Sequence, residues 1–164
     1  MHNLPGGPDS PTGLAYLASG RHPVCLPLGQ ALMPLETFAL MSRTRRVLLI
    51  DDNVDAAESL AQLLALSGHD ARTAGDGPEG LRVANEFRPE VVFCDLGLPG
   101  MSGYDVARSL RALPEGRAVV LVALTGYGQP GDREKTAQAG FDAHLVKPVD
   151  PAVIESFLDD YAET

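Results

Sequence analysis

The residues best suited to chemistry in this chain directly follow four short apolar segments. They are Asp51, Asp52, Asp95, Thr125 and Lys147. Three carboxylates held close together repel one another and raise each other's pKa unless a cation joins them. Mg²⁺ prefers oxygen ligands, usually one or two carboxylates with waters and a phosphate. We therefore predict a magnesium site with Asp52 and Asp95 as direct ligands, Asp51 as a ligand through water and a main-chain carbonyl from Gly97; Ca²⁺ would need more protein oxygens.

Lys147 and Thr125 add a positive charge and a hydroxyl donor to this set. A metal ion, an ammonium group and a hydroxyl around one carboxylate are suited to stabilising the equatorial oxygens of a phosphoryl group during transfer. The indicated chemistry is phosphoryl transfer to Asp95, giving an acyl phosphate that water can hydrolyse. The sequence has no Gly-x-x-x-x-Gly-Lys-Ser loop for a nucleotide, so we expect another molecule to donate the phosphoryl group.

Five predicted strands, each followed by a predicted helix, must bring these side chains together. Apolar segments predict strands at 47–50, 91–95, 118–124 and 143–146, and a weaker, shorter strand is expected at 70–74. Capping residues, glycines and prolines predict helices from Asp52 or Asn53 to Gly68, and at 78–87, 103–113, 132–139 and 151–161. Repeated strand–helix units predict an α/β fold with a doubly wound, five-stranded parallel sheet. We expect the flavodoxin-like order 2-1-3-4-5, with all polar strand ends at one edge.

Composition narrows the possible partners. The chain has 164 residues and a formal net charge of -9, which disfavours nucleic acid. No apolar run approaches the roughly 20 residues that span a bilayer, so we expect no membrane association. The two cysteines, Cys25 and Cys94, form neither a disulfide framework nor a zinc motif, which favours a reducing cytoplasm. Cys94 is expected to be a core residue.

The first forty residues differ from the rest of the chain. They contain six of the thirteen prolines and only three charged residues, so we predict a disordered extension at 1–43 and one folded domain at 44–164. Residues 28–41 have apolar residues at roughly helical spacing, interrupted by Pro34; a short helical turn or a docking peptide is the alternative there. Met41 directly precedes the regular pattern and is a candidate natural start.

The motifs together resemble the receiver domain of two-component response regulators. They are Asp51-Asp52, Asp95-Leu-Gly-Leu-Pro-Gly-Met-Ser-Gly, Thr125-Gly126 and Lys147-Pro148. The resemblance covers about residues 44–160 and is greatest to receivers fused to hybrid histidine kinases. It implies that a histidine kinase or histidine phosphotransfer protein phosphorylates Asp95, that Asp51 and Asp52 bind Mg²⁺, and that Thr125 and Lys147 are the switch hydroxyl and the cation. It also implies a downstream protein target that contacts residues 131–161.

Two positions depart from the usual receiver pattern. Receivers often carry an aromatic residue three before the lysine, where this chain has His144. The residues two beyond the phosphorylated aspartate and two beyond the threonine, Gly97 and Tyr127, offer neither a carboxylate nor an amide side chain to position water. We therefore expect a fairly long-lived acyl phosphate.

Two other functions fit part of the pattern. A magnesium-dependent phosphatase of the haloacid dehalogenase type also uses an aspartate after a strand as its nucleophile. Such enzymes carry a second acidic residue two positions further on, where this chain has Gly97. A non-phosphorylated scaffold could share the fold. We expect a single-domain signalling protein, without an output domain of its own, that is not an enzyme and promotes only its own phosphorylation and dephosphorylation.

Overall fold

The computed structural model describes residues 43–126 and 130–160. The predicted extension 1–43, apart from Arg43, and the candidate start Met41 lie outside the described residues. Five strands and five helices alternate along the described chain. The strands are β1 Arg46–Ile50, β2 Asp70–Ala74, β3 Val91–Asp95, β4 Val120–Thr125 and β5 Ala143–Val146. The helices are α1 Val54–Leu66, α2 Gly77–Phe87, α3 Gly103–Ala112, α4 Pro130–Ala139 and α5 Pro151–Asp160.

The strands form one parallel sheet in the order β2-β1-β3-β4-β5, so the predicted fold class and strand order are confirmed. Both faces of the sheet are buried, because consecutive residues of a strand point to opposite faces and helices cover each. Leu48, Ile50 and Val92 belong to the core beneath α2 and α3. Val47, Leu49 and Phe93 belong to the core beneath α1 and α5.

Several predicted element bounds were wrong by one or two residues. Strand β4 begins at Val120 rather than at residue 118, because Ala118 is in a turn and its amide donates to the carbonyl of Glu115. Helix α4 begins at Pro130 rather than 132. Helix α3 ends at Ala112, since Leu113 has an extended ψ of 147°. Asn53, one of the two predicted caps of α1, accepts a hydrogen bond from the amide of Ala56.

Arg111 joins three segments at the amino-terminal edge of the sheet. Its guanidinium donates to the carbonyls of Gly116 and Val119, which precede β4, and to the carbonyl of Gly140 and the carboxylate of Asp142, which precede β5. The donor-to-acceptor distances lie between 2.5 and 2.8 Å. One side chain therefore satisfies three backbone carbonyls that the strands do not pair.

Glu90 lies at the same edge, directly before β3. Its carboxylate accepts hydrogen bonds from the Arg46 amide at 3.1 Å and from the Arg45 guanidinium at 3.3 Å. Burial alone would raise the pKa of Glu90, but the Arg46 amide and the charges of Arg45 and Arg46 together lower it below its ordinary value. The ionised carboxylate therefore stabilises the start of the central strands.

Candidate functional site

The predicted site residues meet at the carboxyl-terminal edge of the sheet. Asp51 directly follows β1, Asp95 ends β3, Thr125 ends β4 and Lys147 directly follows β5. Strand β3 lies between β1 and β4, so Asp95 stands in the middle of this row. The register places Asp95 beside Leu124, and Thr125 beside Val146. Parallel pairing thus brings residues about 50 positions apart to one edge.

Lys147 joins two of the carboxylates. Its ammonium donates to Asp51 Oδ2 at 2.6 Å and to Asp95 Oδ2 at 2.7 Å. Burial alone would lower the pKa of Lys147, but the hydrogen bonds and negative charges of Asp51 and Asp95 raise it above its ordinary value. The lysine therefore stays charged at this edge of the sheet.

The second oxygen of each carboxylate is held by a nearby backbone amide. The amide of Asn53 donates to Asp51 Oδ1 at 2.9 Å, and the amide of Gly97 donates to Asp95 Oδ1 at 2.8 Å. Both bonds run from an amide two residues further along the chain, which fixes the side chains locally. The contact seen at Gly97 is made by its amide; the ligand role of its carbonyl stays a prediction.

Three carboxylates form an acidic cluster with room for a cation. One oxygen each from Asp51, Asp52 and Asp95 lies within 4.8 Å of the others. Asp51 is buried, and Asp52 is exposed to solvent. The donors are all carboxylate oxygens, the ligand type that Mg²⁺ prefers. With Lys147 included, the four side chains carry a net charge of about -2 when all are ionised, so this donor set fits a divalent cation.

Gly103 allows helix α3 to start close to Asp95. A Cβ atom added at Gly103 would lie 2.3 Å from the carbonyl oxygen of Asp95 and 2.8 Å from the Cα of Leu96. Both neighbours are backbone atoms, which side-chain rotation cannot move away. The amide of Gly103 also donates to the carbonyl of Leu96 at 3.2 Å. A residue without a side chain is therefore needed to bring the loop after Asp95 into position.

Thr125 and His144 lie on the neighbouring strands. Thr125 is buried, and its carbonyl accepts a hydrogen bond from the Lys147 amide at 2.8 Å. His144 is half-buried, and its Nδ1 atom has no hydrogen-bond partner among the described residues. Burial and the positive charge of Arg133 lower the pKa of His144. Tyr127, predicted to affect dephosphorylation, lies outside the described residues.

Cys94 precedes Asp95 and faces the core, as predicted. Its side chain is 1% exposed, and it packs with residues beneath α2 and α3. Burial, with a smaller effect from the charges of Asp95 and Asp51, raises the pKa of the thiol to about 12. Cys94 is thus a neutral core residue and no part of the polar cluster.

One pattern was overlooked in the sequence. Gly75-Asp76-Gly77-Pro78-Glu79-Gly80 fits the spacing Gly-x-Gly-x-x-Gly, which in other proteins opens a dinucleotide site. Here the Glu79 carboxylate accepts from the Gly75 amide and the Asp76 carboxylate accepts from the Glu79 amide. These two carboxylates hold the amides at the start of helix α2 from within the chain, and Gly77 and Gly80 pack tightly against other side chains. The loop therefore has a structural explanation.

Comparison with known proteins identifies the family. The family model described as "Response regulator receiver domain" matches residues 47–159. This chain belongs to the response regulator receiver family. The match begins at the second residue of β1 and includes the other four strands, so the predicted resemblance is confirmed.

Among the relatives of this receiver are DNA-binding and transcriptional regulators. The DNA-binding response regulator MtrA of Mycobacterium tuberculosis is 38% identical over 107 residues, which cover 65% of this chain and 46% of MtrA. The transcriptional regulatory protein PrrA of the same organism is 40% identical over 103 residues, which cover 63% of this chain and 43% of PrrA. The receiver thus spans less than half the length of these two relatives.

Solved structures show the same fold. The receiver domain of the sensor histidine kinase PA1611 from Pseudomonas aeruginosa has 30% identity and a TM-score of 0.67, over 74% of this chain and all of that one. That structure has a magnesium ion coordinated in its active site cleft. The chemotaxis response regulator CheY4 of Vibrio cholerae has 25% identity and a TM-score of 0.68, over 72% of this chain and 98% of its own. Within the described part of this receiver, no helix is long and apolar enough to cross a membrane.

Proposed function

We propose that this receiver accepts a phosphoryl group on Asp95 from a histidine kinase or a histidine phosphotransfer protein and signals through contact with a downstream protein. The observation that carries the proposal is the contact of the Lys147 ammonium with Asp95 at 2.7 Å, beside a cluster of three carboxylates. A nucleophile, a fixed positive charge and metal-ligand oxygens therefore lie within one small volume.

In this proposal Asp95 is the nucleophile. One of its carboxylate oxygens attacks the phosphorus of the donor's phosphohistidine and forms an acyl phosphate. The bond between phosphorus and the imidazole nitrogen breaks, and that nitrogen keeps the electron pair and takes up a proton. Lys147 and the Thr125 hydroxyl contact the oxygens of the transferred group, since both lie at this edge of the sheet. Attack by water on the phosphorus later restores the carboxylate and releases phosphate.

The residues that would hold Mg²⁺ are Asp51, Asp52 and Asp95, with the carbonyl of Gly97. When bound, Mg²⁺ neutralises charge on the phosphoryl oxygens during transfer. Gly97 and Tyr127 carry no acidic or amide side chain that would position an attacking water, so the acyl phosphate should outlast a few seconds.

The output surface in this proposal is formed by α4, β5 and α5, within residues 131–161. Val146 on β5 is 48% exposed, an apolar side chain available for a protein contact. The proposed domain spans residues 44–164. The net charge of -9 favours protein partners over nucleic acid, and the lack of an apolar run of roughly 20 residues in the sequence argues against a membrane partner. The cysteine pattern favours a reducing environment, which supports a cytoplasmic location in this proposal.

Acetyl phosphate, a small phosphoryl donor, tests the proposal directly. The 164-residue chain is mixed with acetyl phosphate and Mg²⁺, and its intact mass is measured over time. We expect the mass of one phosphoryl group to be added to the wild type and to Asp70→Asn, a control with an exposed aspartate at the far edge of the sheet. Asp95→Asn should stay unmodified. An unmodified wild type would favour the scaffold alternative, and steady turnover of phosphate esters would favour the phosphatase.

A further inference from the structure

A cavity lies at the amino-terminal edge of the sheet, the edge opposite the acidic cluster. Its volume is about 540 Å³, within the roughly 300–1,000 Å³ range of ligand pockets. Arg46 at the start of β1, Glu90 before β3 and Val119 before β4 contribute to its lining. A strand of five residues is about 16 Å long, so the cavity is separated by about that distance from the edge that carries Asp95. An occupant of the cavity would therefore leave the edge with Asp95 open.

The walls of this basal cavity are largely apolar. They include Pro89, Leu110, Leu113 and Pro114, and Leu113 is 37% exposed at the rim.

The charged groups of the rim already have partners. Arg88 and Glu115 form an ion pair at 3.1 Å, and the Arg46 guanidinium donates to the Arg88 carbonyl at 2.8 Å. The Glu90 carboxylate accepts from the Arg46 amide. An uncharged, apolar ligand therefore suits the cavity better than an ion.

The chain itself supplies such a ligand close by. The described chain begins at Arg43, three residues before Arg46, which lines the cavity. Residues 28–41, separated from Arg43 by Ser42 alone, read Leu-Gly-Gln-Ala-Leu-Met-Pro-Leu-Glu-Thr-Phe-Ala-Leu-Met. Glu36 is the single charged residue of this segment. Met41 is five residues from Arg46, a span of at most roughly 18 Å, so the segment can reach the cavity without a long linker.

We propose that residues 28–41 place their apolar side chains in the basal cavity of the same molecule. A tether this short gives an effective concentration on the order of 1 mM. Even if the segment bound with an intrinsic dissociation constant of about 0.1 mM, roughly 90% of the molecules would then have it docked in the cavity. The docked segment then contacts the loop before β3 and the loop before β4 at the same time. This contact does not depend on phosphorylation at Asp95.

A spin label in the segment tests this contact. Gln30→Cys is labelled in a Cys25→Ser background of the 164-residue chain; Cys94, 1% exposed, stays unlabelled. We expect broadened amide signals for Leu113 and residues 115–119, and unchanged signals around Ser59, which is exposed on helix α1. Absence of broadening at 113–119 would overturn the proposal.

A mixed sample identifies the occupant's source. Isotope-labelled chain without a spin label is combined with unlabelled chain that carries it. Signals that stay sharp support docking within one molecule. Broadening equal to that of the single-chain sample would mean that a second copy fills the cavity, which contradicts the proposal.

A matched pair of substitutions gives a second, independent measurement. Phe38→Asp places a charge within the segment, and Leu14→Asp adds the same charge outside it. We expect Phe38→Asp to speed hydrogen exchange of the amides of Leu113 and residues 115–119 roughly tenfold. That factor is the ratio of the effective concentration to the dissociation constant, and it sets how strongly docking protects these amides. Leu14→Asp should leave exchange unchanged. Equal exchange in both variants and the wild type would contradict the proposal.

Discussion

Replacing Lys147 by methionine should destabilise the metal-free protein and strengthen its binding of Mg²⁺. Methionine keeps much of the side-chain volume but removes the ammonium that donates to Asp51 and Asp95. Each hydrogen bond to a charged group is worth about 1.5–3 kcal/mol. The carboxylates are only 10% and 14% exposed, whereas the lysine is 30% exposed and partly solvated. We therefore expect a loss of about 2–4 kcal/mol.

Thermal unfolding with and without Mg²⁺ measures this effect. In buffer with a chelator, Tm should fall by roughly 10 °C. Saturating Mg²⁺ should recover most of the loss, because the cation takes over the neutralising role of Lys147. Calorimetric titration should show several-fold tighter Mg²⁺ binding in the variant, since the local net charge changes from about -2 to -3.

Lys135→Met is the matched control, because Lys135 is exposed on α4. Its Tm should stay within the small range typical of surface substitutions. An equal Tm loss with and without Mg²⁺, or weaker Mg²⁺ binding by Lys147→Met, would refute the assignment of Lys147 as the neutralising charge of the cluster.

Three further predictions concern the supports of the site and the core. Gly103→Ala should cost about 1–3 kcal/mol and slow modification by acetyl phosphate, because the new Cβ would displace the backbone of Asp95 and Leu96; Gly75→Ala, where a Cβ meets nothing closer than 3.8 Å, is the control. Arg111→Met should cost about 2–4 kcal/mol in urea unfolding, since three backbone carbonyls lose their donor, whereas exposed Arg108→Met should change little. The lowered pKa of Glu90 means that its stabilisation is full above its unfolded pKa, near 4.5, and is lost as pH falls through the lower folded value. The stability gap between wild type and Glu90→Gln should therefore close on acidification, and a gap constant with pH would contradict the argument.

The sequence predicted the fold because strand and helix signals agreed locally. Four apolar segments of four to seven residues and a weaker strand segment at 70–74 alternated with capped helices, the pattern typical of a parallel sheet. Bounds were less predictable where tertiary contacts decided them. Ala118 continues an apolar run, yet a turn hydrogen bond to Glu115 keeps it out of β4. Propensity alone contains no information on that bond.

The composition of the site was predictable, while its contacts were not. Parallel strands end at one edge, so the presence of Asp51, Asp95 and Lys147 there follows from the strand order. That a single ammonium contacts both carboxylates depends on the final packing of β1, β3 and β5. Sequence reasoning also missed Arg111, because its acceptors are loop carbonyls without a sequence signal.

A crystal structure with Mg²⁺ and beryllium fluoride, a mimic of the phosphoryl group, tests the central claim most directly. We predict beryllium fluoride on a carboxylate oxygen of Asp95, Mg²⁺ on the oxygens of Asp51, Asp52 and Asp95, and the Lys147 ammonium against a fluoride. An Asp95 side chain left bare while Mg²⁺ occupies the cluster would contradict phosphoryl acceptance at this residue.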